Sequence, residues 1–193
     1  MFNGIIKNIG LVKSVNSNSI TFKTSLNLNK IKIGSSISCD GICLTIIKKL
    51  KKNKFYEFST NISEETYKKT SIKYWKVNNR INLETSLKIN DEISGHFVYG
   101  HVDGISKLIK IKKLKNSWDM FFTYPLINQK KFFAKKGSIS INGISLTISN
   151  IFKKDFSVAI IPHTYKKTNL SSLKLNDYVN LEYDMLTRYI FNK

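Results

Sequence analysis

The sequence predicts an all-β chain built as two tandem six-stranded barrels, and three observations carry that reading. First, the stretch SISCDGICLTI, from Ser36 to Ile46, returns as SISINGISLTI from Ser138 to Ile148, with eight of eleven positions identical. Second, other segments return in the same order: ETYKKT (Glu65 to Thr70) as HTYKKT (His163 to Thr168), RINLE (Arg80 to Glu84) as YVNLE (Tyr178 to Glu182) and, more faintly, FNGIIKNIG from Phe2 as VYGHVDGIS from Val98. The offsets are 102 residues for the opening stretch, then 98, 98 and 96. Conserved order and offset together mark a tandem duplication of one module of roughly 90 residues, too long for a solenoid unit and with too few copies. Third, the apolar runs are short, rich in Ile, Val, Thr, Phe and Tyr, and punctuated by Asn, Gly, Lys and Ser, the pattern of a small antiparallel barrel or sandwich.

Taken in order, the first module predicts strands over Ile5 to Val15, Ser19 to Thr24, Ser36 to Cys39, Cys43 to Leu50, Phe55 to Thr60 and Arg80 to Glu84. Asp40-Gly41 and Asn142-Gly143 are the strongest hairpin signals, because both residues of such a turn need positive φ. SEETYKKT, from Ser63 to Thr70, offers a serine N-cap followed by acidic residues, so a short helix is expected there. DMLTRYIFNK from Asp184 also reads as helical, with Met185, Tyr189 and Ile190 spaced as an apolar stripe. The expected organisation is a first barrel over residues 1–90, a second over 91–184, joined near Thr85 to Glu92, and a short helix over 185–193.

At 193 residues and 41% apolar, the chain has enough material for real cores. No run of eighteen apolar residues is present to span a membrane, and the N-terminus lacks the apolar region of a signal peptide. Cys39 and Cys43 lie four apart, roughly 13 Å along a continuous strand and beyond disulfide reach, so a reduced, cytoplasmic protein is expected. The net charge of +19 suggests nucleic acid, but apart from Arg80 and Arg188 every basic residue is lysine. Nucleic-acid readers lean on arginine for bidentate and stacking contacts. Lys, Asn and Ile all have A/T-built codons, so a skewed base composition accounts for the charge without such a partner. Lys48 to Lys54, Lys110 to Lys115 and Lys130 to Lys136 then read as solvated strand ends and loops.

No GxGxxG, P-loop, HExxH, CxxC or GxSxG pattern is present. His96 and His101 lie five apart in SGHFVYGHVDG with no nearby third ligand, a poor metal site. What remains for nucleophile and proton-transfer chemistry is Cys43, Ser145, His96 and His101. Each also has an ordinary structural reading, as a small strand residue, a turn hydroxyl or a satisfied histidine.

MFNGI at the start, DGICLTI, SGHFVYGHVDG with its GH-x3-GH spacing, and NGISLTI followed by IIPHTYKKT resemble the riboflavin synthase family, in that order and over nearly the whole chain. The resemblance implies two Greek-key barrels and a C-terminal helix that assembles a homotrimer. The implied reaction is dismutation of two 6,7-dimethyl-8-ribityllumazine molecules to riboflavin and 5-amino-6-ribitylaminouracil, with no cofactor and no metal. One lumazine would sit in each barrel, the N-terminal barrel of one subunit facing the C-terminal barrel of its neighbour.

By the same resemblance Phe2, Cys43, His96, His101, Ser145, Thr147 and Asp184 are the candidate catalytic residues. Gly4, Ile5, Ile6, Ile42, Cys43, Leu44, Asn61, Ile62, Ser63, Glu64, Glu65 and Thr66 would line the first pocket. His101, Val102, Asp103, Lys136, Ser145, Leu146, Thr147, Ala159, Ile160, Ile161, Pro162, His163 and Thr164 would line the second, with Thr66 and Thr164 suited to ribityl hydroxyls. Glu65 in one module is answered by His163 in the other. The helix ending at Lys193 is short, which implies a weaker trimer. A non-catalytic lumazine- or flavin-binding protein is the alternative on this scaffold, and two intact G-I-[CS]-L-T motifs favour the enzyme.

Overall fold

The structure, a computed structural model, describes residues 1–191; Asn192 and Lys193, the end of the expected terminal helix, lie outside the described residues. Strands β1 (Asn8–Asn16), β2 (Ser19–Thr24), β3 (Ser36–Cys39), β4 (Ile42–Lys52), β5 (Phe55–Asn61) and β6 (Arg80–Thr85) close into a barrel in the order β1-β2-β5-β4-β3-β6. Strands β7 (Gly104–Lys113), β8 (Trp118–Thr123), β9 (Ser138–Ile141), β10 (Ile144–Ile151), β11 (Asp155–Ile160) and β12 (Tyr178–Tyr183) close into a second barrel in the equivalent order. The doubled barrel expected from the repeat is borne out. Short helices α1 (Glu64–Lys69) and α2 (Pro162–Lys167) occupy matching places, and α3 (Met185–Phe191) follows the second barrel.

Local chemistry explains these elements. Asp40, Gly41, Asn142 and Gly143 all have positive φ, so each pair makes the two-residue turn that β3–β4 and β9–β10 require. Ser63 caps α1 by accepting the Thr66 N–H. Alternation then divides each strand. Ile37, Cys39, Ile42, Leu44, Ile46, Ile81 and Leu83 point into the first barrel around the stacked Phe22–Phe58 pair. Ile139, Ile141, Ile144, Leu146, Ile148, Val179 and Leu181 do the same in the second.

The structure departs from expectation in two useful ways. β1 begins at Asn8, not Ile5, because the residues before it form an arm that leaves its own barrel. Cys39 and Cys43 are not on one continuous strand: the hairpin puts them on neighbouring strands, with Cys39 paired to Ile42 and Cys43 to Ser38. Both thiols are free; Cys39 faces the core and Cys43 faces outward, so their bond vectors diverge.

The barrels meet through polar side chains. Asn82 donates to the Asn142 carbonyl and to Asn169 Oδ1, while Asn180 donates to the Asp40 carbonyl. Asp40 accepts from the Asn82 N–H and from Asn169 Nδ2, and Asn142 Oδ1 accepts the Asn180 N–H. All five side chains are buried, and each is used in the network, which fixes one relative placement of the barrels. The repeat's equivalent glycines Gly41 and Gly143 touch across this interface, so a Cβ on Gly41 would lie 2.6 Å from the Gly143 nitrogen.

Candidate active site

Two arms cross between the barrels. The first precedes β1 and the second precedes β7, and they pair at equivalent residues: Phe2 and Val98 exchange N–H···O bonds of 2.7 and 3.0 Å. Phe2 is fully buried, so the ring pins the arms together. Beyond this crossing each arm lies on the opposite barrel. The Gly4 carbonyl accepts the Ser145 N–H at 2.9 Å, and the Gly100 carbonyl accepts the Cys43 N–H at 2.9 Å. Glycine is needed at both places: φ is +74° and +78°, and a Cβ would fall 2.6 Å from Ser145 Cβ or 2.5 Å from Cys43 Cβ.

The arms regroup the expected pocket residues. Gly4, Ile5 and Ile6 belong with the second barrel: Ile6 packs on its core and lines a groove of about 390 Å³ with His163. Val102 packs on the first barrel's core beside Ile62. The sequence groups Gly4 to Ile6 with the first pocket and His101 to Asp103 with the second; in the structure Ile6 packs on the second barrel's core and Val102 on the first's. His101 is exposed; its carbonyl accepts from Arg188 Nη2 at 2.8 Å, and it shares a cavity of about 430 Å³ with Tyr99, Glu182, Tyr183, Met185, Arg188 and Tyr189. Asp103 binds the Tyr183 N–H and Arg188, so it ties the second arm to α3. Arg188, one of two arginines in the chain, carried no signal in the sequence beyond its rarity.

Ser145 is the focus of the second barrel. The half-buried hydroxyl lies 2.7 Å from His96 Nδ1. Burial holds the His96 imidazole below its ordinary pKa, with the nearby Asp184 carboxylate opposing that shift. His96 Nε2 is buried without a hydrogen-bond partner among the described residues. Thr147 is exposed two residues along β10. Cys43, the counterpart of Ser145, is half-buried beneath Gly100, and among the described residues its thiol has no side-chain hydrogen bond.

The other expected residues divide by alternation. Ile42, Leu44, Leu146 and Ile160 have core side chains, so they can offer a ligand only backbone. Asn61, Ser63, Glu64, Glu65, Ala159, Ile161, Pro162 and His163 are exposed around α1 and α2, with Thr66 and Thr164 half-buried. Glu64 and Glu65 are paired with Lys68 and Lys69 on the surface of α1. Lys136 is exposed with φ +67°, where the first module has Gly34; both donate N–H to the equivalent Ile148 and Ile46 carbonyls. A lysine held in the left-handed region costs about 1 kcal/mol, and such strain gathers at functional sites.

A family model described as lumazine binding domain matches the chain twice, over residues 3–86 and 99–184. Riboflavin synthase of Chlamydia trachomatis is 39% identical over 191 residues, covering 97% of this chain and 92% of that relative. Those of Photobacterium leiognathi and Bacillus subtilis are 34% and 33% identical, covering 98% and 99% of this chain and 87% and 88% of theirs. The chain belongs to the riboflavin synthase family. Among solved structures, LumP complexed with riboflavin superposes with a TM-score of 0.80 at 20% identity, over 95% of this chain and 99% of that one, which shows the shared fold. LumP complexed with 6,7-dimethyl-8-(1'-D-ribityl) lumazine superposes at 0.78. The sequence's family resemblance, the doubled lumazine-binding module and the enzyme class are thus established; no helix among the described residues is long and apolar enough to cross a membrane.

Asn82, Glu84, Asn180 and Glu182 are buried, hydrogen-bonded polar residues around the arms and the barrel interface that the sequence does not single out. They sat in the repeated RINLE and YVNLE, where alternation marks them as outward and therefore apparently solvated. The signal was the repetition of the polar positions themselves.

Proposed function

We propose that this chain is a riboflavin synthase that converts two molecules of 6,7-dimethyl-8-ribityllumazine into riboflavin and 5-amino-6-ribitylaminouracil, without a cofactor. The Ser145–His96 hydrogen bond carries this reading. A hydroxyl and an imidazole kept neutral near pH 7, with Asp184 nearby, form a proton acceptor suited to an acidic ring methyl. The substrate's C7 methyl is such a group, since its anion is delocalised into the heterocycle. Once that carbanion attacks the second lumazine, a four-carbon unit passes between two molecules of one kind. Two equivalent pockets on one chain serve that symmetry, and holding both rings in register supplies much of the rate.

In this reading the Ser145 site is completed by Gly4 to Ile6, Lys136, Thr147 and Ala159 to Thr164, and the Cys43 site by Asn61 to Thr66 and His101 to Asp103. Backbone from Ile42 to Leu44 and from Ser145 to Thr147 reads the ring edge. The chain works as a homotrimer: Leu186, Tyr189, Ile190 and Phe191 leave α3 with an exposed apolar face, and a neighbour's second barrel would bring its lumazine to the first. Sizing in solution tests the trimer. The activity test is direct: incubation of the purified protein with the lumazine is expected to raise riboflavin absorbance. Tight binding with no conversion would instead make it a binding protein of the kind the LumP complexes represent.

A further inference from the structure

The buried carboxylates of Glu84 and Glu182 are unused by the chemistry above, yet both are wired to it. Register sets Glu84, Ser38 and Cys43 in one row across β6, β3 and β4, and Glu182, Ser140 and Ser145 in the equivalent row across β12, β9 and β10. Glu84 accepts the N–H groups of Asn3 and Gly4 at 2.8 and 3.1 Å. Glu182 accepts those of Tyr99 and Gly100 at 2.7 and 2.8 Å. The same two glycines then take the amides of Ser145 and Cys43 on the opposite barrel. Each path therefore runs from a carboxylate on one barrel, through an arm, to the reactive residue of the other.

We propose that Glu84 and Glu182 are positioning residues: each fastens an arm with two hydrogen bonds and thereby completes the site in the opposite barrel, so neither site is whole without the other module. The ligand's identity rests on the riboflavin synthase reading; the contacts do not. A carboxylate is suited to the task because both oxygens accept. A glutamine would meet one arm N–H with its oxygen and turn its own NH2 toward the other, leaving a buried donor unpaired. The environments differ in charge. Glu84 faces Lys7 and the N–H groups of Asn3, Gly4 and Ile5, with Ser38 beside it on the sheet; burial pushes it up to about 7. Glu182 faces Arg188, Asp103 and Ser140; burial raises it too, with Arg188 opposing and Asp103 adding to the rise. Burial beneath the arm is what raises Glu84, so its ionisation loosens the clamp as pH rises through neutrality.

The full-length protein and its Glu84→Gln and Glu182→Gln variants are titrated with riboflavin as the probe, and the amide resonances of Ser145 and Cys43 report the two sites. Glu84→Gln is expected to weaken binding at the Ser145 site about tenfold and leave the Cys43 site unchanged, with Glu182→Gln doing the reverse. In the unsubstituted protein, amide exchange at Asn3 and Gly4, corrected for intrinsic rates, is expected to speed up between about pH 6 and 8, because Glu84 holds its proton more tightly with the arm closed than open. Equal weakening at both sites, or no change at either, overturns the proposal. Should a variant fail to fold, pH-independent protection at Asn3 and Gly4 does the same. Turnover of the lumazine is measured separately, so loss of the enzyme reading would leave the one-site pattern as its own result.

Discussion

The surroundings of Ser145 and Cys43 share a scaffold and differ in the groups that meet the hydroxyl and the thiol. Both sit one residue into a strand that follows a two-residue turn, both lie under an arm glycine with positive φ, and both stand in a row ending in a buried glutamate. Among the described residues, Ser145 has an imidazole on its hydroxyl and a carboxylate near that imidazole, and the Cys43 thiol has no side-chain hydrogen bond. In the proposed function, duplication kept what would position a ligand and let the proton-handling groups diverge. That difference suits a reaction in which two identical molecules play unlike parts.

The largest expected break of this contrast is Ser145→Ala. It removes the hydroxyl from His96 and is expected to lower turnover by about 10² to 10⁴, with lumazine still bound at the Cys43 site. Steady-state kinetics with ligand titration checks this. Gly100→Ala attacks the other site: the new Cβ collides with Cys43, and the displaced arm is expected to cost about a hundredfold in rate. Cys43→Ser sharpens the comparison by making the two motifs alike. Because no side chain engages the thiol among the described residues, a loss below about tenfold is expected, and full activity would make Cys43 a wall of the pocket.

The pH profile separates two groups. His96 is held below its ordinary value by burial, so turnover is expected to fall only on the acid side of that ordinary value. Glu84 titrates higher, at about 7, and its folded value lies above its unfolded one. The folded state therefore holds the extra proton, and the stability Glu84 contributes is full at acid pH and lost as pH rises through 7, the arm that buries it loosening with it. Chemical denaturation against pH checks the stability sign. The smallest effect concerns Lys136→Gly, which restores the Gly34 form of the corner. It is expected to add about 1 kcal/mol and raise the melting temperature by about 2–4 °C, while weakening ligand at the Ser145 site.

Most of the scaffold was legible in the sequence because local rules write it. Period-two alternation gave the strands, Asp40-Gly41 and Asn142-Gly143 gave the hairpins, and Ser63 gave the start of α1. The doubled motif also singled out Cys43 and Ser145. What could not be read was non-local. Nothing in Gly4 says that its carbonyl will meet Ser145, so its place in the chain does not reveal which barrel it lies on. Nothing in RINLE says that an outward glutamate will be buried by its own module's arm where that arm crosses to the other barrel. Outward and exposed are equivalent on a lone barrel; docking a second barrel separates them.

The central claim is that each site is completed by the opposite module, and Gly4→Ala tests it most directly. Riboflavin binding is followed at the Ser145 and Cys43 amides in the variant and the unsubstituted protein. The expected result is two bound ligands per unsubstituted chain, and in the variant loss at Ser145 in the second barrel with Cys43 binding retained. Loss at Cys43, in the first barrel to which Gly4 belongs by sequence, with Ser145 binding retained, would contradict it.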